Sequence, residues 1–370
     1  MRPTQSPPSP DSAYVEQLVA IAEAQGISHV GICNADTLER ARAELIRRKA
    51  AGLHDGLQFT YKNPVRSTDP TRAVAGAQSV LVGARSYYME EPMAPAGAQG
   101  RVARYAWADH YEPLRVGLRA VARRLRRDGW RAVVFADDNS IVDREVAYRA
   151  GIGWFGKNAN ILLPGAGSWF VLGCVITTAP LPVATAPVDD GCGSCRRCLD
   201  ACPTHAIIAP GVIDAGRCLA WILQKPGIID RRWRATLGNR IYGCDDCQTV
   251  CPPTVRWAAK SPSPEIAIEP WVPLVELLDA GDEEIIGHWG RWYIADRDPR
   301  WVRRNALVAL GNSGRPDDAD VRRCLAQYLA SNDAVLRAHA VWAARRLGLD
   351  TLLPDRDDDP QVADELVAAL

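Results

Sequence analysis

The chain has 370 residues, with 44 Lys plus Arg against 44 Asp plus Glu and 47% hydrophobic residues. That is enough for two or three domains with cores of their own, and the balanced charge excludes a generally basic nucleic-acid binder while leaving room for local basic patches. No run of 18 apolar residues occurs, which excludes a membrane-spanning helix, and eleven cysteines behind an N-terminus without an apolar signal region point to metal ligands in a reducing compartment, not to disulfides.

Residues 1–11, MRPTQSPPSPD, read as a disordered tail rich in Pro and Ser. YVEQLVAIAEAQG follows at helical spacing, with Gly26 as its stop. HVGICNA (29–35), SVLVGARSY (79–87) and RAVVFA (131–136) read as strands, and EPLRVGLRAVARRLRRDG (112–129) as an amphipathic helix with a basic outer face. ILLPGAGSWFVLGCVITT (161–178) reads as a hairpin around a Pro-Gly turn. Residues 12–180 are therefore expected to form one α/β domain. Two Pro-rich connectors (179–191 and 260–270) bracket the cysteine region, which sets a second domain at 181–260 and a third at 261–370. In the third, VRRNALVAL (302–310) and LRAHAVWAA (336–344) repeat at an offset of 34 residues, the signature of stacked HEAT-like helical hairpins. The fold class is multidomain α/β plus α.

The cysteines carry the sharpest signal. CGSCRRCLDACP places Cys192, Cys195, Cys198 and Cys202 in the pattern C-x2-C-x2-C-x3-C-P. A motif of this form sends its fourth cysteine to a second cluster, so a partner set is required. CDDCQTVCP supplies Cys244, Cys247 and Cys251, with Cys218 upstream. Two 4Fe–4S clusters on a bacterial-ferredoxin-like module follow: Cys192, Cys195, Cys198 and Cys251 hold one, and Cys202, Cys218, Cys244 and Cys247 the other. A zinc ribbon needs only two C-x2-C pairs, not a triple motif with a matching copy. Cys33, Cys174 and Cys324 lie in apolar strands or a helix and read as buried and inert. Two clusters form a wire for single electrons, and a wire needs a terminus.

The densest stretch of the first domain is FADDNSIVDREVAYRAGIGWFGKNANILL (135–163). Asp137 at a strand's C-terminal edge, above a Gly-rich loop, suits an α/β active site and equally a helix N-cap. Here the sequence resembles a family. Asp137, Asp143 and Arg144 as D-x5-D-R, AGIGWFGKN (150–158), GSWFVLG (167–173), the two cysteine motifs and RRNALVALGN together resemble the epoxyqueuosine reductase family, in the same order over residues 13–350. The resemblance implies cobalamin in the first domain, fed by the two clusters, and reduction of epoxyqueuosine to queuosine at the wobble position of tRNA. It implies Asp137 as the proton donor, and cofactor contacts at Arg66, Asp137, Ile161, Leu172, Ala220 and Asp245. No D-x-H-x-x-G motif offers a lower cobalt ligand, and His110 reads as structural. The competing readings are another corrinoid reductase of dehalogenase type and a non-catalytic iron–sulfur carrier.

Two segments are locally basic. Residues 217–240 hold six basic residues and one acid, and residues 291–304 hold five arginines and two aspartates among Trp and Tyr. Phosphates want Arg and Lys, and splayed bases want aromatic faces. Arg231, Arg234, Arg303 and Asn305 are the expected tRNA contacts. The expected partners are the anticodon stem-loop and an external low-potential electron donor, with no membrane. The expected state is a cytoplasmic monomer.

Overall fold

The computed structural model describes residues 10–183, 186–261 and 266–368. The expected disordered tail, apart from residues 10 and 11, and parts of both expected linkers (184–185 and 262–265) lie outside the described residues. The chain divides into two compact units, each assembled from three stretches. Of the described residues, those of 10–89, 109–216 and 246–261 form the first, and those of 90–108, 217–245 and 266–368 the second. The cysteine-rich stretch thus contributes to both.

In the first unit, helix α1 (Ser12–Glu23) starts where the Asp11 carboxylate accepts from the Tyr14 N–H at 2.8 Å. It turns out at Gly26, whose φ of 76° favours glycine. Strands β1 (His29–Asn34), β2 (Ser79–Ser86), β3 (Ala132–Phe135) and β4 (Phe170–Thr177) form one sheet in the order β1-β2-β4-β3, with every neighbouring pair antiparallel. The two central strands are buried almost throughout, as their near-continuous apolar sequences require. Helix α2 (Tyr111–Arg127) turns Leu114, Leu118, Val121, Ala122 and Leu125 inward. A methyl group added at Gly173 would lie 2.8 Å from Leu118, so this glycine sets how closely helix and sheet approach. Helix α3 (Asp143–Arg149) belongs to the other core cluster, where Val146, Ala147, Ala150 and Ile152 meet Val80, Val82, Cys174 and Ile176.

The expected hairpin over 161–178 is corrected. Ile161–Leu162 pairs with Trp154–Phe155, and Leu163 bridges Gly167 across the turn. Phe170–Thr177 instead enters the main sheet, where eight residues find partners on β2. A long register between two buried strands outweighs a two-residue hairpin. The helix Glu39–Ala50 carried no clear sequence signal, because it buries only Leu45.

In the second unit, strand Gln99–Val102 lies between Arg240–Tyr242, which runs parallel to it, and Trp271–Pro273, which runs antiparallel. Helices α4 (Arg300–Ser313), α5 (Ala319–Leu329), α6 (Ala334–Arg346) and α7 (Pro360–Val367) follow. Asp318, Asp333 and Asp359 cap the last three. Helix α6 is buried on nearly every side, and Gly311 of α4 admits it: a methyl there would meet the Ala343 backbone at 2.8 Å. Among the described residues no helix is long and apolar enough to cross a membrane.

Candidate functional site

The loop from Ala136 to Val142 joins β3 to α3 and carries two adjacent carboxylates that do different work. Asp138 accepts from the Ser140 N–H at 2.7 Å, closing a local turn. The N-cap of α3 is Val142, with no side-chain cap. The capping role that sequence left open for Asp137 is therefore not taken by it. Asp137 sits at φ 55°, in the left-handed region that Asp and Asn tolerate better than most residues. Arg115 of α2 donates to the Ala136 carbonyl at 3.2 Å, and Asn139 accepts from the Thr60 N–H at 3.1 Å, so the loop is held from both sides.

Asp137 is exposed, yet protein walls its carboxyl closely enough that desolvation raises its pKa. The Arg115 charge opposes that rise and Asp138 adds to it. Behind it, the Asp143 Oδ1 is buried with no hydrogen-bond partner. Burial drives the Asp143 carboxyl well above the usual range, the Asp137 charge pushes the same way, and the Asp137 backbone N–H offsets part of it. The Tyr111 phenol is raised by burial and then by these same two carboxylates. One edge of the sheet thus gathers acids whose surroundings shift them toward their protonated forms, the direction a proton donor requires. Sequence reading had Asp143 only as part of a motif; its unpartnered oxygen has no signature in the sequence.

The other residues expected in the first unit are placed as follows. Arg66 is exposed on the short helix Pro64–Ser67, which Asn63 caps through the Arg66 N–H at 3.1 Å. Ile161 is buried at 5% exposure and Leu172 half-buried, both against the core cluster that includes α3. In the second unit Ala220 is half-buried on the helix Leu219–Gln224. Asp245 is buried, accepts from the Arg104 N–H at 3.0 Å and faces the guanidinium groups of Arg101 and Arg104 at 3.7 and 3.9 Å. Its carboxylate is already engaged.

The first four-cysteine set lies wholly in the first unit. The Cys198 thiol is pushed up to about 11, first by burial and then by the charges of Cys251 and Cys192, with Cys195 adding to the same side. Cys251 N-caps the helix Pro252–Ala258, and the proline of its C-P pair takes the first helical position, where it lacks only an N–H that would be orphaned anyway. The Cys202 sulfur accepts from the Ala206 N–H at 3.2 Å. Cys247 also lies in the first unit, while Cys218 and Cys244 lie in the second. None of the eleven cysteines forms a disulfide. Cys33, Cys174 and Cys324 are buried at 2% exposure or less.

Two of the expected tRNA contacts are corrected. Arg234 has no exposed surface; it donates to Glu365 and to the Ile229 carbonyl, each at 2.7 Å. Asn305 is 2% exposed and donates to the Leu223 and Ile241 carbonyls at 2.8 and 3.0 Å. Both face inward and hold the second unit together. Arg231 pairs with Asp364 and Glu365, and Arg303 with Asp282 and the Ala280 carbonyl. Arg304, which sequence reading passed over, is buried and donates to the carbonyls of Lys225, Gly227, Ile222 and Leu223. The aromatics divide too. Trp289 and Trp292 are buried, with Trp292 stacked on Tyr242 at 4.6 Å, whereas Tyr293 is 56% exposed.

Comparison with known proteins follows the same outline. The family described as "Epoxyqueuosine reductase QueG, DUF1730" matches residues 67–138, and the family described as "4Fe-4S double cluster binding domain" matches residues 191–254. The chain is 32% identical over 369 residues to an epoxyqueuosine reductase of Bacillus subtilis (strain 168), covering 96% of this chain and 90% of that protein. It is 33% identical over 357 residues to one from Xanthomonas campestris pv. campestris, covering 92% and 98%. A structure of the Bacillus subtilis enzyme with a catalytic Asp loop swung out of the active site matches with a TM-score of 0.86 at 29% identity, over 96% of this chain and 97% of that one. A crystal structure of epoxyqueuosine reductase with an epoxyqueuosine-modified tRNA-Tyr stem loop matches with a TM-score of 0.83 at 30% identity, over 96% and 99%.

Proposed function

The chain belongs to the epoxyqueuosine reductase family, and from that premise we propose that it removes the epoxide oxygen of epoxyqueuosine at the wobble position of tRNA, leaving queuosine. Loss of that oxygen as water takes two electrons and two protons. The double-cluster module is suited to passing electrons singly at low potential, and an external low-potential donor supplies them. Asp137 delivers a proton to the departing oxygen. The observation that carries this reading is an exposed carboxyl with a raised pKa, backed by the buried Asp143, in the same unit as Cys192, Cys195, Cys198 and Cys251.

The cofactor assigned to the 12–180 domain is cobalamin. The fit is argued from the chain's own chemistry: half-buried Phe155, Leu172 and Trp257 pack against the core that buries Ile161, in the unit that carries the acid, and supply apolar side chains of the kind a flat macrocycle takes. Arg66 would contact it through its side chain. Ile161 and Leu172 would act through packing or backbone. Bound there, cobalamin would supply a low-potential metal-centred reductant. The residues' part is to present an acid, exclude water and hold the substrate.

For tRNA, the anticodon stem-loop is assigned to the second unit, with α4 to α7 read as two HEAT-like hairpins. Arg231 and Arg303 stay as proposed contacts, and exposure brings in Tyr293, Arg297, Arg232 and Lys225 in place of the buried Arg234 and Asn305. Phosphate neutralisation and base stacking are their roles. The working protein is read as a cytoplasmic monomer.

The test is anaerobic reconstitution with iron, sulfide and cobalamin, followed by reaction of an epoxyqueuosine-bearing stem-loop with a chemical reductant. The product should lose the mass of one oxygen. A fully loaded protein that leaves the modified base unchanged would overturn the proposal.

A further inference from the structure

Two neighbouring side chains of the Gly-rich loop reach into the two cysteine motifs. Lys157 Nζ donates to the Gly193 carbonyl at 2.6 Å and to the Cys195 carbonyl at 2.9 Å. Asn158, 2% exposed, donates through Nδ2 to the Cys247 carbonyl at 3.2 Å. The loop itself is fixed. Gly156 donates to the Asn160 carbonyl at 2.8 Å, and a methyl on Gly156 would collide with Leu162 at 2.1 Å. The Asn158 Oδ1 accepts from the Asn160 N–H at 3.2 Å, which orients its amide. The Lys157 carbonyl in turn accepts from the Gly211 N–H at 2.9 Å, just beyond the first cysteine motif.

By the crossing rule, Cys195 belongs to one cluster and Cys247 to the other. The α/β domain therefore addresses each cluster loop with a different, adjacent side chain, one cationic and one neutral. We infer that Lys157 and Asn158 are positioning residues that join the α/β domain to the two cluster loops, and that Lys157 sets the reduction potential of the cluster held by Cys192, Cys195, Cys198 and Cys251. The inference rests on the iron–sulfur reading given above. Its physical basis is charge. A thiolate-ligated cluster becomes one charge more negative when it takes an electron, and no proton accompanies that electron. A fixed ammonium hydrogen-bonded to the cluster's loop favours the reduced form, and hydrogen bonds and net charge around a cluster set its potential. Asn158 holds the second loop without adding charge.

The experiment is a potentiometric titration of the full-length, reconstituted protein, followed by electron paramagnetic resonance, after iron analysis has established that both clusters are present. Wild-type protein without clusters would defeat the iron–sulfur reading itself, a result visible before any potential is measured. With clusters present, Lys157→Met should make one of the two clusters harder to reduce by about tenfold in its equilibrium constant, about 59 mV for a one-electron couple. The other cluster should stay in place, and Lys157→Arg should restore the shifted one. Lys157→Gln keeps a donor on the carbonyls and removes only the charge. It should show the same shift, and it reads the charge even where the Met variant fails to assemble. Loaded variants whose two potentials both stay unchanged, or both move equally, would overturn the inference.

Discussion

Replacing Asp137 by Asn separates chemistry from conformation at one position. Asn tolerates the left-handed conformation nearly as well as Asp, so φ 55° survives the change. The neighbouring turn does not depend on it, because Asp138, not Asp137, accepts from Ser140. What disappears is the acid. General acid catalysis contributes roughly 10²–10⁴ in rate, about 3–5 kcal/mol at 1.36 kcal/mol per tenfold. Asp137→Ala loses the same acid and also places a less tolerant residue at positive φ, which costs a further 1 kcal/mol or so in loop population. Single-turnover conversion of the modified stem-loop is the assay, with cluster and corrinoid content measured beforehand. The expected order is wild type well above Asn, with Ala at or slightly below Asn. Asp138→Asn should stay near wild type, since an amide oxygen accepts from Ser140 as well. The pH profile has a fixed sign. Burial raises the Asp137 pKa, so the protonated donor persists above the ordinary carboxylate range, and the rate falls as pH rises through the raised value. That alkaline limb should vanish in Asp137→Asn. An Asn variant that turns over near the wild-type rate while Ala is slow would mean the loop's shape, not its acid, matters, and the assignment of Asp137 would be refuted.

Arg304→Met strands four carbonyls in the second unit and relieves a costly buried charge, so a net loss of about 3 kcal/mol in unfolding free energy is expected; chemical denaturation measures it, and a loss below 1 kcal/mol would count against the bonding described. His339 is buried and neutral, donating to the Val335 carbonyl and accepting from the Ile229 N–H, with burial holding its pKa well below 6.5. Its folded pKa is depressed, so its contribution is fully present above the ordinary value and is lost as pH falls below it, by up to about 1.4 kcal/mol per pH unit; melting temperature between pH 7.5 and 5.5 should drop less in His339→Asn than in wild type. Tyr293→Ala should weaken stem-loop binding about five- to a hundredfold if a base stacks there, and Arg297→Gln should reduce the salt slope of binding by about one; unchanged affinity in both variants would remove them from the interface.

What sequence made legible was local. The double-cluster motif is written in spacing, and the family match over residues 191–254 falls on it; the strands at 29, 79 and 131 announce themselves by apolar runs. The failures share a cause: each depends on a partner far along the chain. Arg234 and Asn305 carry polar groups that sequence alone assigns to the surface, yet Arg234 bonds Glu365 and the Ile229 carbonyl, and Asn305 the Leu223 and Ile241 carbonyls, all inside. The hairpin over 161–178 failed for the same reason, since only β2 reveals why Phe170–Thr177 leaves its neighbour.

The strand Gln99–Val102 has a consequence for synthesis. It is the middle strand of its sheet, but both partners come later, at 240–242 and 271–273. A ribosome adding roughly 5–20 residues per second needs about 10–30 s to make the last of them, and through that interval both edges of the nascent strand are open to improper pairing. Its sequence limits the hazard. Gln99 and Arg101 alternate with Gly100, and only Val102 is a strong strand former, so the waiting segment is a poor seed for aggregation. Gly100 also answers to the finished fold, where a methyl group would collide with Ile241 and Leu274 at 2.7 and 2.8 Å. One residue thus serves both the nascent chain and the completed sheet, and a bulkier, more β-prone substitution at Gly100 should lower soluble yield during expression as well as stability afterwards.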